Sequence, residues 1–437
     1  MSVNIGDFIE TNGYITIHSM AKNSLEEINH MVDQIIIAIR NKRIGFPYKY
    51  NKRTSSIESL HTMFRNLSLY QPISSPEYSA PSHNLYRIQH KSSILREKMK
   101  HKLSQYKTHD REYRALIWQE QPTDYDSMDQ LTDYFTESQR MAAGRIDKNY
   151  KTPLDLWAMN TQKDEDMMRE ILSELLKSTD GLTHRSFRDA FWKTGLEANS
   201  FKTTVASSVY WYFDAKRILD ISAGWGDRLM AAMAHRAERY LAYDPNISLK
   251  SGHDEMKRVF AGDYADRYEV RYTGFETGDL GHETFDLIFT SPPYFNFEQY
   301  SKDSNDSKGA VGAVGAVGTG QSMDTYPRFN LWFVRFLCVS LSKAWANLST
   351  NGNMVIHITD IGGVRDTEKN LIVEPMILYV LGYCACSGYD GVMGTIGYTG
   401  KPRPMWVFHK YGDETTDIAK KARMELAQFY PDIAKLL

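Results

Sequence analysis

Apolar positions recur at helical spacing through the first half of the chain and gather into short continuous runs in the second. SLEEINHMVDQIIIAIRN carries apolar residues three and four apart, behind a Ser-x-x-Glu capping box at Ser24 and Glu27, and predicts a helix. Before it, ETNGYITIHS sets an Asn-Gly turn between strand-like runs and predicts a hairpin. QPISSPEYSAPSH breaks the pattern as a loop or linker, and the Arg87–Arg114 stretch that follows reads as helical. PLDLWAMN, MMREILSELLKS and SFRDAFWKT predict further helices from about Thr152.

Beyond about Ala215 the texture changes. RILDISAG, RYLAYDP, YEVRYTGF, FDLIFTSPPY, NMVIHITD and PMWVFHK are short apolar runs separated by helical stretches, and GYCACSG reads as part of another strand. Strand alternating with helix predicts an α/β domain with a mostly parallel sheet. DIAKKARMELAQFY reads as a closing helix, and GAVGAVGAVGTG, Gly309 to Gly320, as a flexible small-residue loop. The expected organisation is a mainly helical N-terminal region (1–130), a helical lead-in (131–214), the α/β domain (215–411) and a C-terminal helix (412–437).

Composition narrows this modestly. The chain has 437 residues, 42% hydrophobic and 24% charged, as in ordinary globular proteins. A net charge of −2 gives no overall basic balance, so any polyanion must meet a local patch. No apolar run approaches a bilayer span and no leader is evident, which predicts an intracellular, cytoplasmic protein with no membrane partner. The three cysteines, Cys338, Cys384 and Cys386, fit neither a disulfide framework nor a zinc site, and no metal is expected.

The first chemical signal is RILDISAGWGDR. An apolar strand ends in Asp220 and turns through Ser222, Ala223, Gly224 and Gly226 into a helix at about Arg228. Glycines there let a ligand approach the backbone, and the helix N-terminus faces it. The next strand ends in Asp244 and Pro245, placing an acid where ribose hydroxyls are held in nucleotide sites. A third glycine at dinucleotide spacing is missing, since Leu229 stands there, so the pattern favours the S-adenosylmethionine variant of the doubly wound fold over a nicotinamide site. After the third strand, Phe275 and Glu276, with Asp279 as alternative, are candidates to hold an adenine ring.

The second signal is FDLIFTSPPYFNFEQY. A buried strand ends at Thr290 and runs into Ser291, Pro292, Pro293 and Tyr294. Two prolines fix the backbone and remove two N–H donors, so the turn offers acceptors. Acceptors suit a substrate amine, and the Tyr294 ring offers a face on which an extruded base can stack. An exocyclic amine is a poor nucleophile, and its methylation is mainly a matter of positioning and electrostatics.

Together Asp220–Gly226, Asp244 and Ser291–Tyr294 resemble motifs I, II and IV of DNA amino-methyltransferases, and the wording AGWGDR, YDPN and SPPYF is similar to phage and large-DNA-virus enzymes. The resemblance covers about Ser200 to Lys410. It implies a class I, Rossmann-like domain with a seven-stranded sheet and S-adenosylmethionine as cofactor. It also implies methylation of an exocyclic amino group in DNA by base flipping, with cytosine N4 favoured by Ser291 and adenine N6 next. Ser291, Pro292, Pro293 and Tyr294 are then catalytic, and Asp220, Ser222, Ala223, Gly224, Gly226, Asp244, Pro245, Phe275, Glu276 and Thr290 bind the cofactor. Lys202 and Thr203 match the family's methionine-end segment loosely, and a helix packing Val205, Val209 and Tyr212 inward is the better reading there. Thr359 and Asp360 are weaker candidates for the substrate side.

For the polymer, Arg87–Arg114 sets nine basic residues against three acidic ones with tyrosines interleaved, and Arg96, Lys98, Lys100 and Lys102 are its densest part. A solvated helix face is the plain alternative. The competing functions are an RNA amino-methyltransferase and a catalytically silent nucleic-acid-binding module on the same fold. Nothing in the pattern specifies a protein partner, an oligomer or a nuclease.

Overall fold

The computed structural model describes residues 5–50, 57–71, 73–75, 115–117, 128–295, 298–300, 321–358, 372–384, 389–396, 402–410 and 416–437. The Arg96–Lys102 cluster, the Gly309–Gly320 repeat, Thr359, Asp360 and Cys386 lie outside the described residues. The chain forms two compact units. One comprises Met1–Ile57, Asp133–Ser200 and Glu298–Lys302, and the other Glu58–Thr132, Phe201–Phe297 and Asp303–Leu437.

The first unit is mainly helical. Its longest helices, Leu25–Arg40 and Gln162–Lys177, turn isoleucine, methionine and leucine faces into one core, completed by Phe187 and Phe191 of the helix His184–Lys193. The capping box at Ser24 is present: Ser24 Oγ accepts from the Glu27 amide at 3.2 Å, and Glu27 Oε2 accepts from the Ser24 amide at 2.8 Å. The Asn12-Gly13 turn forms with Gly13 at φ +82°, but the expected hairpin does not continue. Ile9 pairs with Ile15, whereas Ile17 pairs with Leu182, so the second arm is drawn to a distant segment.

The second unit is built on one sheet. In chain order the strands are β1 (Ile73–Ser75), β2 (Ala115–Ile117), β3 (Gly144–Arg145), β4 (Arg217–Asp220), β5 (Arg239–Tyr243), β6 (Tyr268–Arg271), β7 (Phe285–Thr290), β8 (Glu298–Gln299), β9 (Leu348–Ile356), β10 (Tyr389–Ile396) and β11 (Pro402–His409). β3 and β8 pair within the first unit, and the other nine strands lie in the order β1-β2-β10-β11-β9-β7-β4-β5-β6. β6, β5, β4, β7 and β9 are mutually parallel and β11 runs antiparallel to β9. The expected seven-stranded, mostly parallel sheet is therefore the run from β6 to β10, extended by two short strands.

Parallel strands covered on both faces need apolar side chains on both, which is why β4 and β7 are nearly continuous apolar runs rather than alternating ones. Leu219 of β4 sits between Leu241 of β5 and Ile288 of β7. The helices Asp227–Ala234, Thr203–Tyr212, Val339–Ala346 and Val373–Tyr383 supply further buried residues. One expectation is corrected here. Cys384 does not lie in a strand but follows the helix Val373–Tyr383 as its C-cap. A short run apolar on all sides has no period by which to tell helix from strand.

The strand order reverses between β4 and β7. β4 leads outward to β5 and β6, and β7 leads the other way to β9. Ligands of open α/β sheets bind outside the carboxyl ends of strands at such a switch point. Both sequence signals end there, because Asp220 closes β4 and Thr290 closes β7.

Candidate functional site

The turn after β4 is shaped by its two glycines and by one buried ion pair. Gly224 and Gly226 adopt positive φ, +59° and +97°, which L side chains seldom tolerate. At Gly226 space is also closed: a Cβ would lie 2.8 Å from Met256 Sδ and 3.1 Å from the His253 ring. Asp220 is fully buried and accepts from Arg228 Nε at 2.7 Å, Tyr240 Oη at 2.9 Å and the Ser222 amide at 3.1 Å. Arg228 also donates to the Ser222 carbonyl and lies 5.0 Å over the Phe201 ring. Asp220, expected to face a cofactor, is therefore the buried anchor of the turn. Its neighbour Ser222 reaches outward.

Ser222 joins the two signals. Its Oγ is 3.0 Å from Thr290 Oγ1 and donates to the Ser291 carbonyl at 3.0 Å. Ala223 lies buried in the turn, where its amide donates to Tyr243 O at 2.8 Å. Thr290 is fully buried and acts as a strut between β7 and the glycine turn.

Asp244, one residue past β5, closes the same turn from the other side. Its Oδ2 accepts from the Gly224 amide at 2.8 Å and its Oδ1 from the Asn246 amide at 2.9 Å. Removal from water pushes this carboxyl up to about 6, against the pull of the two amides. Pro245 follows it, partly exposed. His253 braces the turn from behind, with Nε2 at 3.0 Å from the Gly224 carbonyl and Nδ1 at 3.0 Å from Tyr272 Oη. Burial drives the His253 ring down to about 4, so it is neutral at physiological pH.

The loop after β6 divides the remaining candidates. Phe275 is only 1% exposed and packs edge-on against Tyr243 at 4.9 Å, so it belongs to the core instead of flanking a ligand. This corrects the expectation for Phe275. Asp279 Oδ1 accepts from the Gly281 amide at 2.9 Å, capping its own turn. Glu276 is different: its Oε2 is buried with no hydrogen-bond partner, and burial raises its pKa. An acceptor left unmatched beside a nucleotide-type turn suits the amino group of an adenine ring. Lys343 pins this loop by donating to the Phe275 carbonyl at 2.6 Å and to the Gly278 carbonyl.

Beyond β7, Ser291 and Tyr294 converge on a residue not singled out from the sequence. His357, just past β9, has Nδ1 at 3.1 Å from Ser291 Oγ and 3.0 Å from Tyr294 Oη. Its amide donates to the Thr290 carbonyl at 2.9 Å, and its ring meets the edge of Phe201 at 5.4 Å. Pro292 is buried and Pro293 partly so. Phe295, next in the turn, takes φ +47°, an unfavourable conformation for a bulky side chain, held by packing against Phe329 and Trp332.

Lys202 and Thr203 are committed elsewhere. Lys202 pairs with Asp129 at 3.5 Å, and Thr203 donates to the Met128 carbonyl at 2.6 Å. Val205 and Val209 are buried, as the packing reading of that helix expects, but Tyr212 is only partly so. Among the described residues no helix is long and apolar enough to cross a membrane.

Strand order, the reversed strand β11 and the glycine turn at the switch point define a doubly wound, Rossmann-like α/β fold. No family model matches the sequence, and no curated protein matches it. Solved structures do. TrmN from Thermus thermophilus is 15% identical over 48% of this chain and 50% of its own, with a TM-score of 0.31, so the match spans about half of that protein. A putative O-methyltransferase from Klebsiella pneumoniae is 14% identical over 50% of this chain and 85% of its own, TM-score 0.31. CalS10, an amino pentose methyltransferase from Micromonospora echinaspora with SAM bound, is 13% identical over 51% of this chain and 96% of its own, TM-score 0.31.

Proposed function

We propose that this chain is a methyltransferase that uses S-adenosylmethionine to methylate an exocyclic amino group of a nucleobase, with cytosine N4 in DNA as the favoured target and adenine N6 next. One observation carries the reading: Ser222 of the glycine turn lies within hydrogen-bond distance of both Thr290 and the Ser291 carbonyl, so cofactor turn and Ser-Pro-Pro-Tyr turn share one switch point. The residues present fit the cofactor. Asp244 would accept from the ribose hydroxyls, Glu276 with its unmatched Oε2 would accept from the adenine amine, and the turn from Ser222 to Gly226 would carry the methionine part. When bound, S-adenosylmethionine supplies a methyl group activated by its sulfonium. Ser291 Oγ and the proline-fixed backbone accept the hydrogens of the target amine and aim its lone pair, and Tyr294 offers a ring against the base. The Arg96–Lys102 cluster would hold phosphates through local positive charge.

The test is transfer of labelled methyl from S-adenosylmethionine to unmodified DNA or RNA, with nucleosides identified by mass spectrometry. N4-methylcytosine in DNA is expected. N6-methyladenine would correct the base, label in RNA alone would correct the polymer, and binding of S-adenosylmethionine without transfer to either would overturn the enzymatic reading. Ser291→Ala is expected to lower transfer while sparing cofactor binding. Asp220→Ala is expected to collapse the glycine turn and lose the cofactor.

A further inference from the structure

We propose that His357 is the positioning residue of this site: it orients the Ser291 hydroxyl and the Tyr294 ring together and receives, through Ser291, the proton that methylation releases. This deepens the reading above and rests on it.

Two hydroxyls from different residues of the same turn meet a single ring nitrogen. Nδ1 is 3.1 Å from Ser291 Oγ and 3.0 Å from Tyr294 Oη. A neutral imidazole nitrogen has one lone pair and accepts one well-aligned bond. Tyr294 has a second acceptor, the His357 carbonyl at 3.2 Å, and Ser291 is thereby left to donate to Nδ1. The proposal therefore places the hydrogen of His357 on Nε2 and leaves Nδ1 to accept from Ser291. With its own hydrogen turned to His357, Ser291 Oγ keeps its lone pairs for the target amine.

Backbone and ring are both held. The His357 backbone is tied to β7 through the Thr290 carbonyl at 2.9 Å. Its ring packs perpendicular to that of Phe201 at 5.4 Å, and Phe201 in turn lies 5.0 Å beneath the Arg228 guanidinium that anchors the glycine turn. Cofactor turn, histidine and substrate turn are thus one packed assembly. Such rigidity matters, because a hydroxyl that rotates freely would share its lone pairs among several directions.

The step balances without further reagents. With S-adenosylmethionine bound, the amine nitrogen would form the new N–C bond as the S–C bond of the sulfonium breaks, its electron pair staying on sulfur as a neutral thioether. The nitrogen now carries one proton too many. It passes to Ser291 Oγ while the Ser291 hydroxyl proton passes to His357 Nδ1, which later yields it to water. His357 acts through Ser291 and need not touch the substrate.

The experiment has two arms on the full chain. In the first, ring-nitrogen NMR of histidine-labelled protein reads the His357 tautomer, with His357→Asn identifying its signals. A neutral Nε2–H form is expected, with an Nδ1 resonance that moves in Ser291→Ala. An Nδ1–H form, or a resonance indifferent to both Ser291→Ala and Tyr294→Phe, would overturn the proposal whether or not the protein turns over. In the second, His357→Ala is expected to lower kcat by roughly 10²-fold or more, as removal of a proton acceptor does, with cofactor KM little changed. His357→Asn, whose amide oxygen stands near Nδ1, should fold normally and recover part of that loss. Full turnover in His357→Ala, or a defect confined to KM, would overturn it. If the wild-type protein methylates no nucleic acid, the functional reading fails and the tautomer arm alone decides whether His357 holds the two hydroxyls.

Discussion

Asp244 carries the most directly measurable consequence at the scale of a single residue. Its carboxyl titrates near 6 in the free protein because loss of hydration outweighs the two amides it accepts from. Ribose hydroxyls donate best to the ionised form. Binding of S-adenosylmethionine should therefore be constant above about pH 7 and weaken by up to about tenfold per pH unit below 6. Calorimetric titration from pH 5 to 8 measures this, and Asp244→Asn should bind more weakly with a flat profile. A flat profile in the wild type would remove Asp244 from the cofactor site. The place of Asp244 beside the glycine turn was legible in the sequence because a strand end fixes where its side chain goes. Phe275 was misread because an aromatic beside an acid in a loop looks the same whether it points to a ligand or to Tyr243. His253 and His357 were missed for a related reason. His253 lies in the polar run KSGHDEMK and His357 in the apolar run NMVIHITD, and the role of each appears only when residues distant in sequence, Gly224 for the one and Ser291 and Tyr294 for the other, are brought to its ring nitrogens.

Among the elements, the turn between β4 and the helix Asp227–Ala234 is the one on which the site depends. Its two glycines are not equivalent. Gly224 needs only its positive φ, since a Cβ there meets nothing nearer than an Arg228 nitrogen at 4.0 Å. Gly226 needs its φ and also the space taken by Met256 and His253. Gly224→Ala should cost about 1–2 kcal/mol, the usual penalty of a left-handed L residue, and keep most cofactor affinity. Gly226→Ala should cost more, roughly 2–4 kcal/mol once overpacking is added, and displace the helix His253 belongs to. Thermal unfolding of both variants, with cofactor binding measured alongside, checks the ranking, and equal losses would contradict it. The strand-turn-helix element itself was readable from the sequence, because an apolar run, two glycines and a helix start follow one another. The difference between its glycines was not, because the residues that crowd Gly226 come from the helix Lys250–Phe260.

For the whole molecule, the α/β half announced itself through repeated apolar runs, whereas the first compact unit did not. It gathers residues on both sides of the stretch from Glu58 to Thr132, and periodicity carries no information about which helices meet. Within its segment Asp133–Ser200 lies a buried network of charges. Arg188 donates to Glu137 at 2.9 Å and pairs with Glu197, while Arg140 reaches Asp133 at 2.6 Å and Glu197 at 3.0 Å. All five side chains are buried. Three carboxylates against two guanidinium groups leave one negative charge in excess, and binding one proton neutralises the set. Burial first, then the neighbouring Asp133, raises the Glu137 carboxyl from 4.5 to about 7 in spite of the two arginines. A carboxyl raised on folding means that the native state binds the proton more tightly than the unfolded chain. Its contribution is thus fully present below pH 4.5 and is lost as pH rises through 7. The swing is at most about 3 kcal/mol. Denaturant unfolding monitored at pH 5 and pH 8 should show this unit losing stability towards the higher pH. Glu137→Gln, which keeps the hydrogen-bonding shape and removes the charge, should flatten the difference. A variant that kept the full slope would overturn the assignment of this pH dependence to Glu137.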